Sequence, residues 1–295
     1  MTELLGRLDA GLRTQVLFTS GDEVLAGEIL ATGGPDEIVA SLRDGERAVV
    51  VLPFDPGEAA IAHRVGSLGP SALPARCGVA RREVTGPVAR NPTQVGLGRR
   101  HVVVEEPSAE TYADRVGAAL TRIDAGELDK VVLGRGLRVV STPPLDAADV
   151  LDRLLETRPG RYVFAVPLAD GILLGGSPEL LVRRAGLRVT SLPLAGSVPR
   201  VADTDEDTAH AEALRGSVKD LAEHRYVVDQ ILDALAPVTA TLSAPDRPEL
   251  LATDTLWHLA TPIEATLAPR GGRALPTALD LARLLHPTPA VAGVP

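Results

Sequence analysis

The sequence predicts a mixed α+β fold and not a doubly wound parallel sheet. Strand-like runs follow one another as hairpin neighbours, as in RYVFAVPL, GILLGG and LRVTSLPL, instead of alternating strictly with helices. Helical periodicity is confined to a few stretches between such runs. With 295 residues, the chain is long enough for one large domain or two ordinary ones.

The N-terminal third, residues 1–100, is predicted to be a β-rich portion of the same fold. The runs TQVLFTSGDEVLAGEIL and GERAVVVLPFDP are typical of short strands interrupted by Gly, Pro and Asp turns. No pattern in this third points to chemistry. We therefore expect residues 1–100 to be scaffold and residues 105–295 to carry the function.

Three elements are predicted directly after residue 105. Ser108 is expected to cap a helix that ends at Gly126, because apolar residues recur between them at helical spacing. A strand is predicted for residues 130–140 and an amphipathic helix for residues 146–156.

The C-terminal half is predicted to contain the longest helix, which begins at Thr204 or Asp205. Its expected buried stripe comprises Leu214, Val218, Leu221, Val228, Leu232 and Leu235. The alternating run TLWHLATPIEATL predicts one strand, and PTALDLARLL predicts a helix that stops at Pro287.

Composition limits the classes of partner. The formal net charge of −9 argues against nucleic acid, which requires a basic face. The single cysteine, Cys77, excludes an internal disulfide and fits a reducing cytoplasm. The N-terminus lacks a continuous apolar signal-peptide core, and no apolar run approaches the roughly 20 residues of a membrane helix. We expect a cytoplasmic protein without nucleic-acid or membrane partners.

Lysine is almost absent from the chain: of 30 basic residues, only Lys130 and Lys219 are lysines. Lys130 precedes the apolar run VVL, so it could enter a buried environment that favours the neutral amine of a general base. The alternative is a strand-end lysine in water.

Two glutamates are candidates for acid and metal chemistry. Glu179 follows a Gly-Gly-Ser-Pro turn and precedes two leucines that could bury it and make it a general acid. Otherwise it is a solvated turn residue. Glu223 lies four residues after Lys219 on one helical face, which indicates either an ordinary ion pair or a magnesium ligand.

A small-residue loop and one histidine complete the candidates. Ala195, Gly196 and Ser197 could let backbone N–H groups approach an anion, or could form only a turn. His258 lies in the alternating run, where a histidine buried in the core is the plainer interpretation. No Cys/His cluster predicts a zinc site.

In their joint order these segments resemble the chorismate-utilising enzymes, and most closely the isochorismate synthases of siderophore and menaquinone pathways. The resemblance runs from about Glu105 to Pro295 through LDKVVLGR, GGSPELLVRR, LPLAGSVPR, KDLAEH, TLWHLATPIE and LLHPTPAVAGVP. It implies a chorismate-binding fold like that of anthranilate synthase component I, with large, mostly antiparallel sheets flanked by helices. It also implies a monomer.

The resemblance implies a Mg²⁺-dependent isomerisation of chorismate, which would make the chain an isomerase. Lys130 would activate a water that attacks ring carbon C2, and Glu179 would protonate the departing C4 hydroxyl. Glu223 would hold Mg²⁺. The implied substrate-binding residues are Ala195, Gly196, Ser197, His258 and Ala290.

Related enzymes differ at the same motifs. Aminodeoxychorismate synthases often carry a nucleophilic lysine where this chain has Ala195, which favours water as the nucleophile here. The remaining alternatives are a salicylate synthase, another chorismate-transforming enzyme, or a truncated inactive chorismate-fold protein. Family members continue beyond the HPTPAV motif, so the resemblance implies a C-terminally truncated catalytic region that lacks a second magnesium glutamate, a substrate-binding arginine and sheet strands.

Overall fold

A computed structural model describes residues 12–20, 23–70, 100–157, 162–268 and 274–294. The chain forms two compact units. The first comprises Met1–Glu83 and Pro143–Pro178, and the second comprises Val84–Thr142 and Glu179–Pro295. Cys77 and most of the N-terminal run used in the argument about a signal peptide lie outside the described residues.

The described elements are, in chain order, β1 (Gln15–Ser20), β2 (Glu23–Gly33), α1 (Pro35–Ala40), β3 (Arg47–Val51), β4 (Ile61–Val65), β5 (Gly69–Pro70), β6 (Arg100–Glu106), α2 (Ala109–Asp124), β7 (Gly136–Thr142), α3 (Ala147–Thr157), β8 (Tyr162–Leu168), β9 (Gly171–Ser177), β10 (Leu180–Ala185), β11 (Arg188–Leu192), β12 (Leu194–Pro199), α4 (Thr204–Gly216), α5 (Val218–Leu235), β13 (Thr239–Ser243), β14 (Glu249–Ala252), β15 (Leu256–Ala260), β16 (Ile263–Leu267) and α6 (Ala278–Leu285). No helix among the described residues has the length and apolar character needed to cross a membrane.

The first unit is built on a seven-stranded sheet with strand order β3-β4-β2-β1-β8-β9, in which β5 also pairs with β2. Successive residues of β1 face opposite sides of this sheet, as the period of two requires. Val16 packs with Val65 and Val166 on one side, whereas Leu17 packs with Leu151 of α3 on the other. The centre of the sheet is therefore buried on both faces.

The second unit contains three sheets, with strand orders β10-β11-β16-β13, β12-β15-β14 and β6-β7. Helices α5 and α6 pack on the first two of these sheets around one core. Its buried residues are Val189, Ala195, Val227, Ile231, Leu235, Ile263, Ala265, Leu267, Leu281 and Leu285. All pairings between the described strands are antiparallel, which confirms the predicted α+β class.

The predicted long helix is wrong in one respect, because it is two helices, α4 and α5. Ser217 is extended, with φ −70° and ψ 112°, and its side chain caps α5 by accepting the N–H of Asp220. This restart shifts the buried stripe, so Val218 is 83% exposed although burial was expected. The fully buried positions of α5 are His224, Val227, Ile231 and Leu235.

Two strand predictions are correct only in part. Residues 131–135 have no regular structure, and β7 begins only at Gly136, because its partner β6 ends at Glu106 and is followed by Pro107. The run TLWHLATPIEATL forms β15 and β16 in different sheets, since Pro262 interrupts the ladder between them. The predicted helices after Ser108, around residues 146–156 and before Pro287 are confirmed as α2, α3 and α6.

Candidate active site

Lys130 is buried, although it lies outside any regular strand. The residue is 7% exposed, and its backbone forms an isolated antiparallel bridge with Val294. Its amine donates a hydrogen bond to the carbonyl of Pro289 and lies 3.4 Å from Oε1 of Glu223. The alternative of a lysine in water is therefore wrong for this residue.

Glu223, on α5, lies between the two lysines of the chain. Its Oε2 is 3.5 Å from Nζ of Lys219, which is the i,i+4 pair that the spacing predicts. Its Oε1 faces Lys130. The side chain of Lys219 is 82% exposed and that of Glu223 is 29% exposed. Glu223 thus lies between a buried amine and a solvent-exposed one.

Glu179 directly precedes β10 and has an unusual ionisation. Burial raises the pKa of its carboxyl group above the usual glutamate value, and a hydrogen bond from the N–H of Leu194 opposes this shift only in part. That N–H lies 3.4 Å from Oε1. A raised pKa favours the protonated carboxyl, which is the form that a general acid needs.

A β-bulge places the small-residue loop of β12 beside α5. The register of β12 against β15 shifts between Leu194 and Ser197. Within the bulge, Gly196 has φ +79°, and a Cβ there would meet Cβ of Asp220 at 3.1 Å and Cδ1 of Leu259 at 3.2 Å. A side chain would strain the backbone and crowd Asp220 of α5 and Leu259 of β15, so this position favours glycine.

His224 fixes this bulge from the helix side. Its Nδ1 is 3.0 Å from the carbonyl oxygen of Ala195 and must donate to it, so Nε2 accepts from the hydroxyl of Thr261 over 2.7 Å. Burial lowers the pKa of His224, and the bond to Ala195 opposes this only in part. The neutral ring satisfies both nitrogens. His224 is not among the residues predicted from the sequence; its place on the buried face of α5 is the signal that could have identified it.

The other predicted substrate-binding residues occupy different settings. Ser197 and His258 contact each other across β12 and β15, with 2.7 Å between Oγ and Nδ1. Ala195 lies in the core of the unit, so only its backbone can approach a ligand. Ala290 is partly buried against the same core.

The predicted site residues are joined by one series of contacts within the second unit. In order, these contacts are Glu179–Leu194, Ala195–His224, Glu223–Lys130 and Lys130–Pro289. Sequence neighbours complete the series, because Leu194 precedes the Ala195 loop, His224 follows Glu223 and Ala290 follows Pro289. The unit therefore holds a buried amine, a carboxyl group with a raised pKa and a glycine bulge on connected elements.

Sequence reasoning missed a second charged cluster, formed by Arg200, Asp207 and Trp257. Nη2 and Nε of Arg200 donate to Oδ2 of Asp207 over 2.9 and 3.1 Å. The N–H of Val201 and Nε1 of Trp257 donate to Oδ1 over 3.0 and 3.1 Å. The Arg200 bonds lower the pKa of Asp207, against the opposing effect of burial. The guanidinium also lies over the Trp257 ring, 4.8 Å from its centre.

Comparison with known proteins identifies related sequences. The family described as chorismate binding enzyme matches residues 84–295. The isochorismate synthase DhbC of Bacillus subtilis is 41% identical over 205 residues, which are 67% of this chain and 50% of that protein. A putative isochorismate synthase, MenF, of Mycobacterium tuberculosis is 38% identical over 267 residues, which are 87% of this chain and 67% of that protein. The chain thus spans between half and two thirds of the length of these relatives.

A solved structure extends the similarity to nearly the whole chain. The putative 2,3-dihydroxybenzoate-specific isochorismate synthase DhbC of Bacillus anthracis matches with a TM-score of 0.79 and 31% identity. The match covers 98% of this chain and 76% of that chain. It confirms that the predicted fold is the one found among isochorismate synthases.

Proposed function

The chain belongs to the family of chorismate-binding enzymes, and from this premise we propose that it is an isochorismate synthase. The observation that carries the proposal is the buried amine of Lys130, held against Glu223 in the same unit as Glu179. A base and a carboxyl group with a raised pKa are the groups that this isomerisation needs. The relatives named isochorismate synthase, at 41% and 38% identity, support the same assignment.

The proposed reaction replaces one ring hydroxyl by another while the double bonds move. Lys130 accepts a proton from a water molecule, whose oxygen forms a bond to ring carbon C2. The double bonds shift and the C4–O bond breaks, while Glu179 donates its proton to the leaving hydroxyl, which departs as water. One water enters and one leaves, so the product is an isomer of chorismate.

The environment of Ala195 supports water as the nucleophile. An enzyme that attacks the ring with a lysine side chain needs an amine at this position. Ala195 offers a methyl group instead, and that group packs in the core of the unit. The carbonyl of Ala195 accepts from His224, so this residue supplies shape and backbone position but no reacting atom.

Magnesium is the proposed cofactor, with Glu223 as a protein ligand. Among the described residues, no group of three or more His, Cys, Asp or Glu side chains could hold a metal ion. Mg²⁺, however, commonly binds one or two carboxylates and fills its shell with water and substrate oxygens. Glu223 fits this role because its outer partner, Lys219, is solvent-exposed and can turn away. The bound ion would neutralise a carboxylate of chorismate.

The metal assignment is tested by Glu223→Gln, which keeps the side-chain volume and removes the charge. We expect the Mg²⁺ concentration for half-maximal activity to rise at least about tenfold, because an amide is a much weaker ligand for a hard cation. Lys219→Met is the matched control, since it removes the exposed partner and leaves the carboxylate. An unaltered magnesium titration in Glu223→Gln would leave Glu223 as an ion-pair residue only.

The proposed reaction is tested by incubating the 295-residue chain with chorismate and Mg²⁺ and separating the products by chromatography. Isochorismate is the expected product, and Lys130→Met is the control for contaminating activity. Formation of salicylate with pyruvate would instead identify a salicylate synthase. Tight binding of chorismate without any product would identify an inactive chorismate-fold protein.

The proposal also assigns roles along the chain: residues 105–295 carry catalysis, residues 1–100 provide sheet and cover, and the enzyme acts as a cytoplasmic monomer. All predicted site residues lie in the second unit, which supports catalysis by the C-terminal part of the chain, although Pro143–Pro178 belongs to the first unit. Sedimentation velocity, with and without chorismate, tests the monomer directly. A stable dimer under both conditions would contradict it.

A further inference from the structure

Lys130 needs support that its own segment does not supply. Residues 131–135 have no regular structure, so no strand ladder follows it along the chain. A lysine side chain also loses rotamer entropy when it is fixed in one position, because it has four rotatable bonds. A lysine that must present its amine at one point therefore requires contacts from another segment.

Thr288–Val294 supplies these contacts at both ends of the lysine. At the backbone, the N–H of Val294 donates to the carbonyl of Lys130 over 2.8 Å, and the N–H of Asp129 donates to the carbonyl of Val294 over 3.0 Å. At the side chain, Nζ donates to the carbonyl of Pro289. One short segment thus fixes both the backbone and the amine of Lys130.

The segment is itself held in shape. The N–H groups of Val291 and Ala292 both donate to the carbonyl of Thr288 over 3.0 Å. The hydroxyl of Thr288 accepts from the N–H of Ala290 over 3.3 Å, and Thr288 is buried. The carbonyl of Pro289 therefore belongs to a hydrogen-bonded turn, which holds its position.

Gly293 allows the segment to approach Lys130 closely. A Cβ at this position would lie 3.2 Å from the carbonyl oxygen of Lys130, and 3.7 and 3.8 Å from two atoms of Val131. The nearest atom belongs to the backbone, which cannot rotate away as a flexible side chain can. The backbone of Gly293 does not adopt a positive φ, so the requirement for glycine comes from this contact alone.

We propose that Thr288–Val294 is a clamp for the catalytic lysine and that Gly293 is a positioning residue within it. The inference rests on the proposed function, in which Lys130 is the base. The contacts of Nζ with the carbonyl of Pro289 and with Glu223 fix the position of the amine, so the clamp decides which atoms of a bound substrate or water the amine can reach.

The test uses the near absence of lysine from the chain. Brief labelling with acetic anhydride, followed by mass spectrometry, compares the reactivity of Lys130 with that of the exposed Lys219, which serves as an internal reference. In Gly293→Ala we expect the Lys130/Lys219 ratio to rise at least about threefold, because a protected group reacts in proportion to how often its surroundings open. Gly134→Ala is the matched control, since a Cβ there meets nothing within 4 Å.

Val294→Pro provides a second variant, because it removes the N–H donor to Lys130 without adding bulk at Gly293. It should raise the labelling ratio as well. In an active enzyme, Gly293→Ala should lower kcat about tenfold while KM stays nearly unchanged, since the change displaces a reacting group. An unchanged labelling ratio in both folded variants would overturn the clamp. A raised ratio in a chain without activity would keep the clamp and refute the proposed function.

Discussion

Two carboxylates of the second unit, Glu179 and Asp207, have pKa values shifted in opposite directions. Asp207 accepts four N–H donors from Arg200, Val201 and Trp257, and its pKa is lowered. The pKa of Glu179 is raised by burial, which the bond from Leu194 offsets only in part. A buried carboxyl group whose pKa is lowered by hydrogen bonds is ionised and stabilises the fold. A buried carboxyl group whose pKa is raised by burial keeps its proton to higher pH and can donate it in a reaction. We therefore expect substitutions at the two sites to separate stability from activity.

The largest expected effect is the loss of activity in Lys130→Met. Methionine has a similar length and no basic group, so kcat should fall by a factor of about 10³, within the usual range for loss of acid–base catalysis. The melting temperature should change little, because Glu223 is partly exposed and keeps its ion pair with Lys219 when Lys130 is replaced. Steady-state kinetics and thermal unfolding check both statements. Near-normal turnover would remove the base assignment.

Glu179→Gln should lower kcat by a factor of about 10² while leaving the fold intact. The amide keeps the shape of the side chain but has no proton to donate to the leaving hydroxyl. Steady-state kinetics measure the effect, and chorismate binding to the variant is the control. Unchanged turnover would exclude Glu179 as the acid.

The same variant also tests how the stability of the protein depends on pH. Because the pKa of Glu179 is raised on folding, the folded protein holds this proton to higher pH than the unfolded chain does. Stability therefore falls as pH rises from the usual glutamate pKa through the raised one. Glu179→Gln should match the wild type at acid pH and become the more stable protein above that window, as measured by urea unfolding. A less stable variant at neutral pH would contradict this sign.

Asp207→Asn should act in the opposite way, by lowering stability at neutral pH. The pKa of Asp207 is lowered on folding, so its contribution is present above the usual aspartate pKa and is lost as pH falls through the lowered value. The difference in melting temperature between variant and wild type should therefore shrink on acidification. The activity of the folded variant should stay close to that of the wild type. A specific loss of kcat would place Asp207 in the site.

The smallest expected effect is that of Lys219→Met. Its ion pair with Glu223 is exposed, and such pairs contribute only about 0.2–0.5 kcal/mol. Stability and kcat should both stay close to wild-type values, in contrast to Lys130→Met. A large loss of activity would show that the exposed lysine is also needed by the site.

Local sequence signals predicted many elements because their causes are local. Ser108 caps α2 through the N–H of Thr111, and Thr277 forms a capping box with Asp280 at the start of α6. The break at Ser217 was missed, although it carries a comparable cap on Asp220. There the apolar pattern continued through the break, and the pattern was given more weight than the cap.

The chemical character of the residues and the resemblance to a known family identified the candidates. Neither of them predicted the surroundings of each candidate in the folded protein. Burial of Lys130 depends on Pro289 and Val294, which lie far from it in the chain. The split of the alternating run into β15 and β16 depends on which strands accept each half, β12 and β14 or β11 and β13. Neither outcome can be predicted from a few neighbouring residues of the sequence.

By itself the sequence determined the α+β class, the cap of α2 at Ser108, the scarcity of lysine and the identities of Lys130, Glu179 and Glu223 as candidates. These features depend on the type of each residue and on spacings of a few positions, and both can be read from the sequence directly. Only the tertiary structure decided that Lys130 faces Glu223, that the pKa of Glu179 rises and that the pKa of Asp207 falls. Burial and hydrogen bonding between distant segments set these properties, and they arise only once the chain has folded.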